Sequence, residues 1–371
     1  MTLPAQYRKM VSTVTDEGQL IVELVTADMP EPKDDQVLIR VEAAPINPSD
    51  HAVMFGWSSM GQARSEDGKL VAPVEDAGMR IMKGRIGKPQ PLGNEGAGTV
   101  VAAGASDAAQ ALLGQTVAAM GGGMYAEYRL VHVNQCLPLG DGHTARDGAS
   151  SFVNPMTALS FPETMKMEGH TAMIHTAAAS NLGQMLVKIC NADDVPLVNI
   201  VRRQEQADLL KSIGAKYVVD SSQDSFMADL VDAILATKAT VAFDATGGGR
   251  LASDILTAME IAASRTPGAY SVYGSTHHKQ VYLYGGLDVS PTILTRGYGM
   301  AWGVGGWLLP NFLAKAGMDV ALRLRQRVAK ELTTTFASAY TDEISLDEAL
   351  APDIVAQYNA KKTGQKFLIV P

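Results

Sequence analysis

The stretch "HTAAASNLGQM", His175 to Met185, joins an apolar run, "TAMIHT", to a helical pattern, "LGQMLVKIC". A strand, a tight turn and a helix in that order present free N–H groups and the positive end of a helix dipole, where an anion binds. In the dinucleotide pattern G-x-G-x-x-G the first glycine makes the turn and the second lets the backbone approach a pyrophosphate. The third lets the helix pack closely on its strand. Here those positions hold Ala178, Ser180 and Gly183, so only the third glycine is kept. Ser180 adds a side chain but can also donate a hydroxyl hydrogen bond. An ordinary strand-to-helix turn accounts for the same residues, so the flanking sequence has to decide.

From about 153 to 275 apolar strands alternate with longer helical patterns. The strands are "AMIHT", "VPLVNIVR", "KYVVD", "TVAFDAT" and "AYSVYG", and helices are expected to start near Asn181, Gln204, Asp224 and Arg250. Such alternation is the mark of a doubly wound, mostly parallel α/β sheet. About 20 residues beyond the turn, an NAD site wants a carboxylate for the ribose hydroxyls. The second strand instead ends "NIVRRQEQ", placing Arg202 and Arg203 there. Two guanidiniums suit a 2′-phosphate, and one charge-assisted bond contributes roughly 1.5–3 kcal/mol. The expected cofactor is NADPH, held by Ala179, Ser180, Asn181, Leu182 and Gly183 at the turn, by both arginines, and by Ser221 after the third strand. Two solvated arginines at a helix start remain the alternative.

Residues 1 to about 150 read as β-rich, with "GQLIVELV", "QVLIRVEAA", "GAGTVVAAG" and "QTVAAM" as short strands between Gly, Pro and Asp. Ser59 to Pro89, rich in Gly, Pro and charge with weak periodicity, reads as a long excursion from that region. The last ~80 residues mix strand-like and helical pieces and end in a strand, "GQKFLIVP". The expected division is 1–152, 153–290 and 291–371, the last completing the sheet and returning to the first domain. With 46% hydrophobic and 19% charged residues the composition is that of a soluble globular protein. The net charge of −8, without a basic block, argues against a nucleic-acid partner. No secretory signal and no apolar run of the ~20 residues needed to cross a bilayer is seen, so a cytoplasmic protein without membrane contact is expected.

With these residues on the page, the sequence resembles the medium-chain dehydrogenase/reductase superfamily, and within it the zinc-free quinone oxidoreductase branch. The resemblance runs through "INPSDHAVMFG", "PLGNEGAGTVVAAG", "GGGMYAEYRLV", "NPMTAL", the "AAASNLG" turn, "LLKSIGAKYVVD" and the closing "TGQKFLIVP", in family order. It implies a GroES-like β domain built from both chain ends, a Rossmann domain inserted between them, and an active site in the cleft. It also implies that Asn47 and Thr157 line the nicotinamide end. Thr246 with Gly247, and Tyr273 with Gly274, would end the fourth and fifth strands, and Lys366 would lie near the stretch that closes the cleft.

The departures narrow the chemistry. Zinc-dependent relatives place Cys, His and often Cys where this chain has Asn47, Asn94 and Val153. Amide and valine side chains cannot replace thiolate and imidazole as zinc ligands, so no metal is expected. Without a Lewis acid, an acceptor already electrophilic at carbon remains feasible: a quinone or another α,β-unsaturated carbonyl. An enoyl-thioester (enoyl-CoA) reductase is the first alternative. Relatives of that kind carry a tyrosine shortly after the Asn-Pro-Ser-Asp stretch, where this chain has "FGWSSM". The cations Arg64, Lys69, Arg80, Lys83, Arg85 and Lys88 could nevertheless form a basic entrance for CoA. A redox-inactive NADPH-binding protein is the second alternative.

The catalytic candidates are Asn47, Asp50, His51 and Trp57. Asp50 can orient a water or substrate, or bind backbone within its own turn. Glu95 is expected to support the site from behind and Tyr125 to be packed with a bonded hydroxyl. His277 and His278 are adjacent and point apart, which disfavours a shared metal. Cys136 and Cys190 read as buried and inert. "RGYGMAWGVGGWLL", Arg296 to Leu309, is either core or the contact of a homodimer.

Overall fold

The computed structural model describes residues 3–265 and 272–371. It divides into two compact units, Met1–Val153 with Arg327–Pro371, and Asn154–Gln326. The segment 291–371 contributes to both. Trp302–Gly306 belongs to the sheet of the second unit and residues from 327 onward to the first.

In the first unit Gln36–Pro45 is the organising strand. Seven of its ten residues are apolar and all seven are buried, on both faces of the strand. It pairs antiparallel with Glu95–Ala103, Tyr128–His132 and, from the far end of the chain, Phe367–Ile369. Thr116–Met120, Cys136–Pro138 and Asp342–Ile344 complete this sheet of seven strands. A second sheet of five strands has Gln6–Val14 and Gln19–Asp28 at its centre, antiparallel from Gln6 opposite Asp28 to Val14 opposite Leu20. Met10, Leu20, Val22, Val37, Ile39 and Phe367 share one apolar core.

The excursion 59–89 is more ordered than its composition implies. Lys69–Pro73 pairs with Gln19–Asp28, and Arg64–Glu66 pairs with Lys69–Pro73 in turn. Helix Asp76–Ile81 follows. The signal was short because "KLVAP" buries only Leu70, Val71 and Ala72, and its order comes from a strand some fifty residues earlier.

Among the described residues the second unit holds six parallel strands in the order Tyr217–Asp220, Leu197–Val201, Met173–His175, Val241–Asp244, Lys279–Leu283, Trp302–Gly306. Numbered along the chain this is 3-2-1-4-5-6, the doubly wound order, with its switch between the first and fourth strands. Helices Asn181–Ala192, Gln204–Ser212, Phe226–Thr237 and Leu251–Ser264 start within two residues of the expected positions.

The fifth strand differs from expectation. Half of "AYSVYG", 269–271, lies outside the described residues, and Val272–Tyr273 is a turn. The strand beside Val241–Asp244 is Lys279–Leu283. Its start is pinned by Lys279, whose buried ammonium lies 2.8 Å from Glu260 and donates to Ser275 Oγ and the His277 carbonyl. His277 and His278 thus precede this strand rather than follow it, and both are exposed.

Gly98 lies opposite Val41, and a Cβ there would overlap the Arg40 carbonyl. Gly98→Ala is expected to cost ~1–3 kcal/mol through overpacking, seen as a lower thermal midpoint. An unchanged midpoint would mean that the two strands can separate at little cost.

Candidate functional site

Two groups of residues stand out, one in each unit. In the first unit the chain turns after Gln36–Pro45 into the short helix Asp50–Met54. Asp50 is buried, and its carboxylate accepts the backbone N–H of Asn47 at 2.8 Å and of Asn94 at 2.8 Å. It therefore binds backbone in its own turn and ties that turn to the segment before Glu95–Ala103. Asn47 Nδ2 donates to Glu95 at 2.8 Å. The other Glu95 oxygen accepts the N–H groups of Phe152 and Val153 at 2.7 and 2.9 Å. Tyr125 is fully buried and its hydroxyl donates to the Pro45 carbonyl.

Lys366 comes into this group from the C-terminal end. Its ammonium donates to Ser150 Oγ at 2.6 Å and lies over the Tyr340 ring. Tyr340 donates its own hydroxyl to the same Ser150 oxygen at 3.0 Å, and Arg146 lies 5.2 Å from the centre of its ring. Burial pushes the Asp50 carboxyl up to about 7, outweighing its two N–H bonds. Burial likewise raises Glu95 and lowers Lys366 to about 8, the latter opposed by the charges of Glu95 and Asp50. Asp50 and Lys366 are thereby brought toward neutral pH, as a site for acid–base work requires.

Two other catalytic candidates stand apart from this group. The ring of His51 packs against Phe55 and Tyr358, its Nδ1 is buried with no partner, and burial lowers it to about 4. It is a neutral packing residue, unsuited to giving up a proton at pH 7. Trp57 is 62% exposed and lines a different cavity with Ile81, Met82 and Arg85.

In the second unit Ser180 caps helix Asn181–Ala192, its Oγ accepting the Gly183 N–H at 3.2 Å. A Cβ on Gly183 would overlap the Ala178 carbonyl, so glycine is required there for the helix to pass its strand. Ala178 and Ala179 are buried beneath the turn, and Ala177 takes a left-handed φ of 49°. At the switch point Thr176 Oγ1 donates to Asp244 at 2.5 Å and accepts the Ala245 N–H. Asp244 also accepts the N–H groups of Thr246 and Gly247. One carboxylate thus holds the ends of two adjacent strands in register.

Arg202 and Arg203 follow directly on Leu197–Val201, exposed and without an ion pair among the described residues. Ser221 donates both its N–H and its hydroxyl to the Val201 carbonyl beside them. Thr157 is buried on helix Val153–Met167. Tyr273 is exposed, and Gly274, at φ 81°, packs on the Glu260 carboxylate, so neither ends the fifth strand. Ser150, Tyr340, Thr176 and Asp244 were not singled out from the sequence. Ser150 and Tyr340 are 190 residues apart, and no periodicity or motif joins them.

The described residues fit a dinucleotide. The turn has the close helix–strand approach that a pyrophosphate needs and a hydroxyl at the helix start, and the guanidiniums of Arg202 and Arg203 after the second strand have no ion pair among the described residues. Residues 33–141 match the alcohol dehydrogenase GroES-like domain family. Mouse prostaglandin reductase-3 is 33% identical over 127 residues, covering 34% of this chain and 33% of that protein. Human mitochondrial enoyl-[acyl-carrier-protein] reductase is 25% identical over 237 residues, covering 59% of this chain and 54% of that protein. The matches thus span a third to about half of these curated relatives. A solved structure assigned as an NADPH:quinone reductase from Mesorhizobium loti matches over the whole of both chains, with 27% identity and a TM-score of 0.74.

Because the folded Asp50 titrates above an ordinary aspartate, the native state binds its proton more tightly than the unfolded chain. The contribution of Asp50 to stability is therefore present at about pH 4 and declines as pH rises to about 7. In urea denaturation across that range, wild type should lose stability relative to Asp50→Asn. Parallel curves would place the titration elsewhere.

Proposed function

Because the chain belongs to the medium-chain dehydrogenase/reductase superfamily, we propose that it is an NADPH-dependent, zinc-free oxidoreductase that reduces a quinone or another α,β-unsaturated carbonyl. The observation that carries the cofactor choice is the pair Arg202 and Arg203, exposed and unpaired at the end of the second parallel strand. A carboxylate there would repel a 2′-phosphate, whereas two guanidiniums attract it. Reduced nicotinamide supplies the hydride when bound. Ser180 and the turn around it hold the pyrophosphate, with Ala179, Asn181, Leu182, Ser221, Thr246 and Gly247 around the dinucleotide and Thr157 toward the nicotinamide. Asn47 and Asn94, at positions that hold zinc ligands in metal-dependent relatives, spend their amides on Glu95 and Ser49. Amides do not supply the thiolate and imidazole of a catalytic zinc.

Reduction of a conjugated carbonyl adds a hydride at carbon and a proton to the enolate or phenolate that results. Lys366, held by Ser150 and titrating near pH 8, is the group of the first unit best suited to provide that proton. Trp302–Gly306 is the outer strand of the parallel sheet, with Met300 exposed beside it, which supports a homodimer through Arg296–Leu309.

Titration with NADPH and NADH, followed by fluorescence, should show NADPH bound at least about tenfold tighter. Arg202→Ala with Arg203→Ala should abolish the preference and leave NADH binding unchanged. Equal affinities in wild type would remove the arginines from their role, and no binding of either would remove the oxidoreductase.

A further inference from the structure

Tyr340 and Lys366 converge on the Ser150 hydroxyl, all three within the first unit. Tyr340 and Lys366 stand beside each other at the entry to the paired parallel strands Asp342–Ile344 and Phe367–Ile369. There the Thr341 N–H donates to the Lys366 carbonyl at 2.9 Å, and the Lys366 N–H donates to Thr341 Oγ1 at 3.1 Å. Ser150 lies two residues before Phe152, whose N–H is held by the buried Glu95. The Tyr340 ring is fixed as well. The Lys366 ammonium lies 5.5 Å from its centre, and Arg146, itself paired with Glu343, lies at 5.2 Å. The three side chains are thus placed by backbone that is bonded elsewhere.

A hydroxyl has one proton to give and two lone pairs. Both lone pairs of Ser150 are filled, one by the Lys366 ammonium at 2.6 Å and one by the Tyr340 hydroxyl at 3.0 Å. When Lys366 gives up a proton, its nitrogen gains a lone pair. The Ser150 proton can fill it, while Ser150 takes the proton of Tyr340 in turn. Ser150 is 2% exposed and closed to bulk water, whereas Tyr340 is half-buried and reaches it. Burial holds the Tyr340 hydroxyl protonated far above its ordinary range, so it stands ready as a donor.

Resting on the function proposed above, we propose that Tyr340 and Ser150 form a proton relay that refills Lys366 after it has protonated the reduced acceptor. One proton leaves Lys366 for the enolate or phenolate. One passes from Ser150 Oγ to the Lys366 nitrogen, one from Tyr340 to Ser150, and water restores Tyr340. No electrons move along the relay, and the net proton comes from solvent. Ser150 and Tyr340 act through Lys366 and are positioning residues.

The test follows the ammonium protons of Lys366 by NMR in the full chain, isotope-labelled at lysine Nζ and assigned with Lys366→Arg. Tyr340→Phe keeps the ring beside the ammonium and removes only the hydroxyl. It should slow exchange of the Lys366 protons with water at least about tenfold. In NADPH-dependent reduction of cyclohexenone, the same variant should lower kcat about tenfold with KM unchanged. In mixtures of light and heavy water, wild type should give a bowed plot of rate against deuterium content, and Tyr340→Phe a straight one, because fewer protons move together. Ser150→Ala should match Tyr340→Phe, and it carries the same comparison should Tyr340→Phe fail to fold. Ser150→Thr, which keeps a hydroxyl, should restore exchange. Exchange as fast in the variants as in wild type, or an equally bowed plot, would overturn the relay while leaving the oxidoreductase intact. Slowed exchange in the variants, with neither cyclohexenone nor menadione reduced by wild type, would instead remove the oxidoreductase and leave the relay no reaction to serve.

Discussion

Glu95 is fully buried, and its two oxygens accept three N–H bonds, from Asn47, Phe152 and Val153. A carboxylate out of water is costly unless its lone pairs are filled, and removing any one partner leaves a desolvated acceptor behind. The strand Glu95–Ala103, the turn that carries Asn47 and Asp50, and the chain at Phe152 are therefore held to a common point. Lys366 adds the compensating charge, reaching Ser150 from the strand that closes the sheet at the C-terminal end. The same arrangement that makes this cluster stable makes it reactive. Burial moves acid and amine toward each other, so their protons are exchangeable near neutrality.

The second unit solves a different problem with the same device. A parallel sheet leaves its strand ends open at the switch point, where a ligand enters. Asp244 closes the protein side of that opening by accepting Thr176 Oγ1 and two backbone N–H groups of the next turn. The turns that approach the ligand are thereby fixed before it arrives, which lowers the entropy lost on binding. Arg202 and Arg203 are the opposite case. They are left in water, where their desolvation costs little and their charge stays available.

Sequence patterns were most informative where the physics is local. Gly183 was legible as the residue that lets a helix cross its strand, and the structure leaves no room for a Cβ there. The helix starts at Asn181 and Gln204 were legible from periodicity. Lys279–Leu283 was not legible as a strand, and the buried Lys279–Glu260 pair that pins its start joins residues in two different elements. The order within 59–89 was missed for a related reason. Five residues of "KLVAP" carry almost no periodicity, and they become a strand only because Gln19–Asp28 offers an edge to pair with.

The sequence by itself determined the alternation of strands and helices, the strand–turn–helix around Ser180 and Gly183, and the charge at the end of the second strand. Each of these depends on neighbours a few residues apart, where spacing and side-chain type are enough. Only the tertiary structure decided that Lys366, Ser150 and Tyr340 form one group, that His51 is packing rather than chemistry, and that Trp57 faces a separate cavity. Those outcomes depend on burial and on partners tens to hundreds of residues away. The protonation of a side chain and the occupancy of its hydrogen bonds are properties of the folded environment, which no local pattern encodes.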